Sequence, residues 1–153
     1  MGALLNIWED LLEDTSFGLF AIHSQLEDYA LAYALNQACG IKLRRLPDDL
    51  ELDQQVYFPL FQYKDEANQR EWTLARNSGI STGSGTAAGL FPDEPSHRKH
   101  FLIPEKKEVD FFLKLEGEDA EQNLVSSLLS ISKIITAYRL EASKLKSKQN
   151  LIF

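Results

Sequence analysis

The chain has 153 residues and a formal net charge of −7, with 44% hydrophobic and 25% charged residues. A chain of this size buries about 70% of its unfolded surface, so no disulfide or metal is needed to hold a core, and these proportions exclude disordered and fibrous classes. The acidic balance disfavours non-specific binding to nucleic acid and docking on an anionic membrane.

The single cysteine, Cys39, cannot close an intramolecular disulfide, which suits a reducing cytoplasm. No basic residue precedes Leu4 and Leu5, and Glu9 and Asp10 interrupt the apolar stretch, unlike a secretory signal. Asn6 stands where a myristoylation signal wants Ser or Thr. The longest uncharged apolar stretch, residues 29–41, is shorter than the roughly 18 residues of a membrane span. A single cytoplasmic domain with no membrane partner is the expectation.

In residues 1–14, Leu4, Leu5, Trp8, Leu11 and Leu12 fall at helical spacing opposite Glu9, Asp10, Glu13 and Asp14, an amphipathic segment. Residues 17–23 are almost wholly apolar, the pattern of a strand covered on both faces. Ser24 with Glu27 forms a capping-box signature and Gly40 a terminator, so a helix buried against a sheet is predicted over 24–39. A short strand follows at 41–46 and an acidic turn at 48–53. Residues 56–63 and 71–76 read as two strands of a hairpin, with Pro59 placing the first at an edge or a bulge.

Residues 78–96 carry Gly79, Gly83, Gly85 and Gly89 among Ser, Thr and Ala, and read as a flexible loop. Strand signals resume at 100–103 and are clearest at 109–115, where Val109, Phe111, Leu113 and Leu115 alternate with Asp110, Phe112 and Lys114. Asp119 with Gln122 caps a second helix carrying Leu124, Val125, Leu128, Leu129 and Ile131. A last strand spans 135–141, and a lysine-rich tail over 143–153 ends in Leu151, Ile152 and Phe153. Two strand–helix–strand units therefore lie at 17–46 and 109–141. They predict an α+β fold: a ferredoxin-like, split βαβ sheet with an extra hairpin and both main helices on one face.

The run Ile103-Pro104-Glu105-Lys106-Lys107-Glu108-Val109-Asp110-Phe111 resembles the small bacterial proteins of the IPExxxVDY family, named for this motif. The Ala21-Ile22-His23 strand end leading into Glu27-Asp28-Tyr29, the Leu145-Lys146-Ser147-Lys148 tail and the closing Asn150-Leu151-Ile152-Phe153 are similar too, so the likeness runs along the whole chain. It departs at Phe111, which keeps the ring of the family's tyrosine and loses its hydroxyl. The resemblance implies a compact cytoplasmic domain and no particular chemistry. Physically, Pro104 ends an extended segment, Glu105 to Glu108 turn the chain, and Asp110 is free to accept from turn amides. That makes the motif a structural anchor, with ligand binding by Glu105 and Asp110 the alternative.

Among reactive groups, His23 lies at a strand end beside Ser24, Glu27 and Asp28, an arrangement that suits a general base. Capping and packing account for the same residues. His97 and His100 share a metal-compatible spacing, but Arg98 and Lys99 separate them and a zinc site wants three or four ligands. Gly83-Ser84-Gly85-Thr86-Ala87-Ala88 matches a dinucleotide fingerprint without the following helix that the motif needs. No cofactor or metal is expected. The basic residues Lys42, Arg44, Arg45 and Arg139, Lys144, Lys146, Lys148 could merge into one positive face if they lay on adjacent strands. The apolar end Leu151, Ile152 and Phe153 must fold back, dock on a twin subunit or insert into a partner. The reading that follows is a non-enzymatic protein-binding or adaptor domain with a protein partner or homodimer. Its candidate contacts are His23, Asp28, Glu105, Asp110, Leu151, Ile152 and Phe153. A small-molecule-sensing domain is the alternative, and an enzyme using His23 the third reading.

Overall fold

The computed structural model describes residues 17–53, 56–81, 100–117 and 123–151. The predicted N-terminal amphipathic segment, the Gly83–Ala88 run, His97, Asp119, Gln122, Ile152 and Phe153 lie outside the described residues. The strands are β1 (Gly18–Ser24), β2 (Arg44–Arg45), β3 (Leu50–Asp53), β4 (Val56–Phe58), β5 (Leu60–Asp65), β6 (Arg70–Arg76), β7 (Ile80–Ser81), β8 (Phe111–Glu116) and β9 (Ile134–Leu140). Helix α1 spans Asp28–Cys39 and α2 spans Leu124–Leu129. Short 3-10 turns cover Pro104–Lys106, Ala142–Lys144 and Lys148–Leu151.

A six-stranded sheet runs β2-β5-β6-β8-β1-β9, with every neighbouring pair antiparallel, and β3-β4-β7 form a second, three-stranded sheet. Because β8 and β9 both pair antiparallel with β1, they run parallel to each other on either side of it. Alternation along the strands sorts their side chains into two cores. Phe20, Ile22, Leu74, Phe111 and Leu113 meet Leu31, Leu35, Leu124 and Leu128 of the two helices. Leu19, Ala21 and Phe112, from the same strands, meet Val56, Phe58, Leu102, Ile103, Val109, Leu145 and Leu151 on the other face. The α+β class and the single helical face agree with the sequence, and the apolar 17–23 run is indeed covered on both sides.

Several boundaries differ for identifiable reasons. Helix α1 begins four residues later than predicted, because Ser24 stays in β1. Its Oγ donates to the Lys133 carbonyl at 2.9 Å and accepts from the Leu26 amide at 3.2 Å. Glu27 occupies the N-cap without a side-chain hydrogen bond. Gly40 does terminate the helix, at φ +66°, where its amide bonds to Asn36. Only one side of α1 is covered, and Tyr29 and Tyr33 remain 67% and 64% exposed.

The strand predicted over 56–63 breaks at Pro59, which has no amide hydrogen for a ladder. The chain changes sheets there, leaving β4 in the small sheet and β5 in the large one. Residues 100–103 form a single bridge, Ser78 to Phe101, rather than a strand, and part of the expected loop, Ile80–Ser81, pairs with β4. Lys114, expected opposite the apolar face, is 5% exposed. Its Nζ donates to the Leu151 carbonyl at 2.6 Å, pairs with Glu116 at 3.0 Å and sits 4.7 Å from the Phe17 ring centroid. Among the described residues no helix is long and apolar enough to cross a membrane.

The small sheet approaches the backbone closely at Gly79. A Cβ there would lie 2.7 Å from Val56 Cγ1 and 2.8 Å from Phe58 Cζ, both on buried side chains. Gly79→Ala is expected to destabilise the fold by about 1–3 kcal/mol, the usual cost of overpacking a core. Urea unfolding checks this, and an unchanged midpoint would show that the two sheets are loosely joined.

Candidate functional site

β6 ends at Arg76, and the next side chain, Asn77, is 1% exposed. Its Nδ2 donates to the carbonyls of Lys106 at 2.8 Å and Val109 at 2.9 Å, and its Oδ1 accepts from the Ile103 amide at 2.9 Å. Its backbone amide donates to the Asp110 carbonyl at 2.9 Å, and its carbonyl accepts from the Leu102 amide at 2.7 Å. Every polar atom of this buried residue is paired, as its burial demands. Residues 102–110 are thereby folded around one carboxamide.

The motif residues then fall into place. Ile103 and Val109 fill the second core, and Pro104 opens the 3-10 turn between them. Glu105 Oε2 accepts from the Ser147 amide at 2.8 Å, which holds the C-terminal tail against the motif. Asp110 Oδ2 accepts from the Ser24 amide at 2.9 Å, where β1 and β9 lose register. Both carboxylates fasten one chain segment to another. Phe111 is a buried ring of the first core, with the Arg76 guanidinium carbon 5.8 Å from its centroid.

His23 and Tyr138 share a 3.0 Å hydrogen bond between Nε2 and Oη, their ring centroids 5.5 Å apart. Burial, and the nearby Glu108 carboxylate, raise the Tyr138 phenol above its ordinary value, so it stays protonated at neutral pH. Asp28 turns to the amide of Tyr29 at 2.7 Å, and Glu105 holds the tail. Among the described residues His23 therefore has neither Asp28 nor Glu105 as a hydrogen-bond partner. Leu151 is 1% exposed within the second core, so the described part of the tail folds back on the domain as far as this residue. Cys39 packs against the first core. Among the described residues no three His, Cys, Asp or Glu side chains are grouped to hold a metal.

The two basic clusters do not merge. Arg44 and Arg45 lie on β2 and Arg139 on β9, the opposite edges of the six-stranded sheet. A cleft of about 550 Å³ opens instead where β1 and β6 end and β8 begins, lined by Arg76, Ser78, Phe101, Lys107, Asp110 and Phe111. Arg76, Asn77 and Lys107 were not singled out from sequence. Asn77-Ser78-Gly79 after a strand looks like an ordinary turn, and only the inward direction of Asn77 distinguishes it.

Burial pushes the Glu105 carboxyl up, but its own amide and the Ser147 hydroxyl and amide outweigh that, leaving it below its ordinary value. The ionised form is therefore the one the fold favours. Its contribution is present above the ordinary glutamate range and is lost as pH falls through the lowered folded value. An acid titration should show the Ser147 amide resonance moving with a midpoint below the usual glutamate range. Glu105→Gln should remove that transition, and a midpoint at or above the ordinary value would contradict the contact. Comparison of the chain with protein-family models, with curated proteins and with solved structures finds no match.

Proposed function

We propose that the chain is a cytoplasmic protein-binding domain without catalytic activity of its own, a member of the family that carries the IPExxxVDY motif. In this reading its core is a ferredoxin-like sheet. The strand order β9-β1-β8-β6 and the parallel pair β8 and β9 flanking β1 support that core, with β5 and β2 as the added edge. The anchoring geometry of Glu105 and Asp110 supports the family reading, because it gives the motif a reason to hold those residue types.

The observation that carries the function is the helical layer. Tyr29 and Tyr33, four residues apart on α1, expose 67% and 64% of their surface. Helix α1 packs on α2, whose last residue, Leu129, is 50% exposed. Tyrosine combines a large apolar body with a polar tip at small entropic cost, which is why it dominates binding hot spots. Helix α1 carries Asp28, follows Glu27 and contains no Lys or Arg, within a chain of net charge −7. A second copy would meet like charge, so the fitting partner is a different protein with an apolar patch rimmed by basic residues.

The test is affinity capture by the tagged full chain from its native extract, compared with a Tyr29→Ala/Tyr33→Ala double variant. The partner recovered by wild type should bind the variant at least about 10-fold more weakly, since hot-spot truncations cost about 2 kcal/mol or more. Both side chains are exposed, so folding stability should change by no more than about 0.5 kcal/mol. Undiminished capture by the double variant, or recovery of a self-dimer alone, would overturn this reading.

A further inference from the structure

In an acidic chain, the cleft at the ends of β1 and β6 gathers two cations, each held over an aromatic ring. The Arg76 guanidinium carbon is 5.8 Å from the Phe111 centroid, and Lys107 Nζ is 6.0 Å from the Phe101 centroid. All four side chains line the cleft. Arg76 pairs with Glu27 at 3.1 Å, but the two side chains are 38% and 59% exposed, so solvent screens the contact and a second anion can compete for the guanidinium. Lys107 has no carboxylate partner among the described residues. Asp110, the one carboxylate among the described residues that line the cleft, is turned by Oδ2 to the Ser24 amide. Counting Glu27 with Asp110, the two cations and two carboxylates balance, so a monocarboxylate enters by taking the place of the Glu27 carboxylate on Arg76.

The walls complete the specification. Phe101 supplies apolar surface, Ser78 adds a hydroxyl, and about 550 Å³ lies within the range of cavities that enclose small organic ligands. The planar fork of arginine matches the two oxygens of a carboxylate. We propose that this cleft binds a small organic monocarboxylate, its carboxylate between the heads of Arg76 and Lys107 and its apolar body against Phe101. The site is separate from the α1 stripe proposed for a protein partner and stands independently of it.

Phenylacetate serves as the probe, titrated into the ¹⁵N-labelled full chain and followed by amide resonances, with phenylacetamide and phenyl phosphate in parallel. Phenylacetate should shift the Ser78 and Lys107 amides saturably, and neutral phenylacetamide should bind at least about 10-fold more weakly, as loss of a charge-assisted contact predicts. Arg76→Gln and Lys107→Gln should each weaken phenylacetate by a similar factor. Lys107 is exposed, so the Lys107→Gln spectrum should otherwise match wild type. The proposal is overturned by absence of a saturable shift, by equal binding of phenylacetamide, or by variants that bind as tightly as wild type. Tighter binding of phenyl phosphate than of phenylacetate would replace the carboxylate assignment with a phosphate site.

Discussion

A carboxamide buried in a protein is tolerable only when its donors and acceptor are all engaged, because each unpaired group costs about 1–3 kcal/mol. The Asn77 carboxamide meets that demand with Ile103, Lys106 and Val109, and its backbone amide and carbonyl engage Asp110 and Leu102. The consequence reaches beyond one side chain. Once the 102–110 segment is wound around Asn77, Ile103 and Val109 point into the second core, Glu105 points to the tail, and Asp110 reaches the end of β1. The Asn150 carboxamide closes the same assembly by donating to the Leu102 carbonyl at 2.8 Å.

The second face of the large sheet depends on this assembly. On the helical face, α1 and α2 cover the strands in the usual way. On the other face no helix is present among the described residues, and the covering is the small sheet, the motif segment and the folded-back tail. That arrangement explains why a lysine can sit in the sheet centre: Lys114 finds the Leu151 carbonyl, Glu116 and the Phe17 ring within its reach. The cleft lies at the rim of this layer, its cations carried by Arg76, which precedes Asn77, and Lys107, which lies within the wound segment. The proposed carboxylate site and the anchoring network therefore share one piece of backbone.

Local patterns read well from the sequence. The apolar 17–23 run declared a strand buried on both faces, Gly40 declared the end of α1, and the alternation from Phe111 to Leu115 declared β8, because each is set by nearest neighbours along the chain. Val109, read as part of the same alternation, precedes that strand and turns to the other core. What escaped depends on distant pairing. Ser24 has the chemistry of a helix cap, yet the Lys133 carbonyl, more than a hundred residues away, keeps it in β1. Pro59 announced a disturbance without saying that the chain would cross to another sheet. The motif declared a structured turn, whereas Asn77, around which it is built, carries no local mark. The His23–carboxylate pairing failed for the same reason: residues close in sequence, such as Asp28, point elsewhere, and Tyr138 arrives from β9.

Amide hydrogen exchange in wild type and an Asn77→Ala variant tests this dependence most directly. The account predicts that in wild type the Leu102 and Ile103 amides exchange only with global unfolding. In the variant, residues 102–110 and the tail at Ser147 and Asn150 should lose protection together while β1, β6 and β8 keep theirs, as a local unit opens below the global transition. Protection of 102–110 that is unchanged by Asn77→Ala, or lost there without any effect on the tail, would contradict the central place given to this side chain.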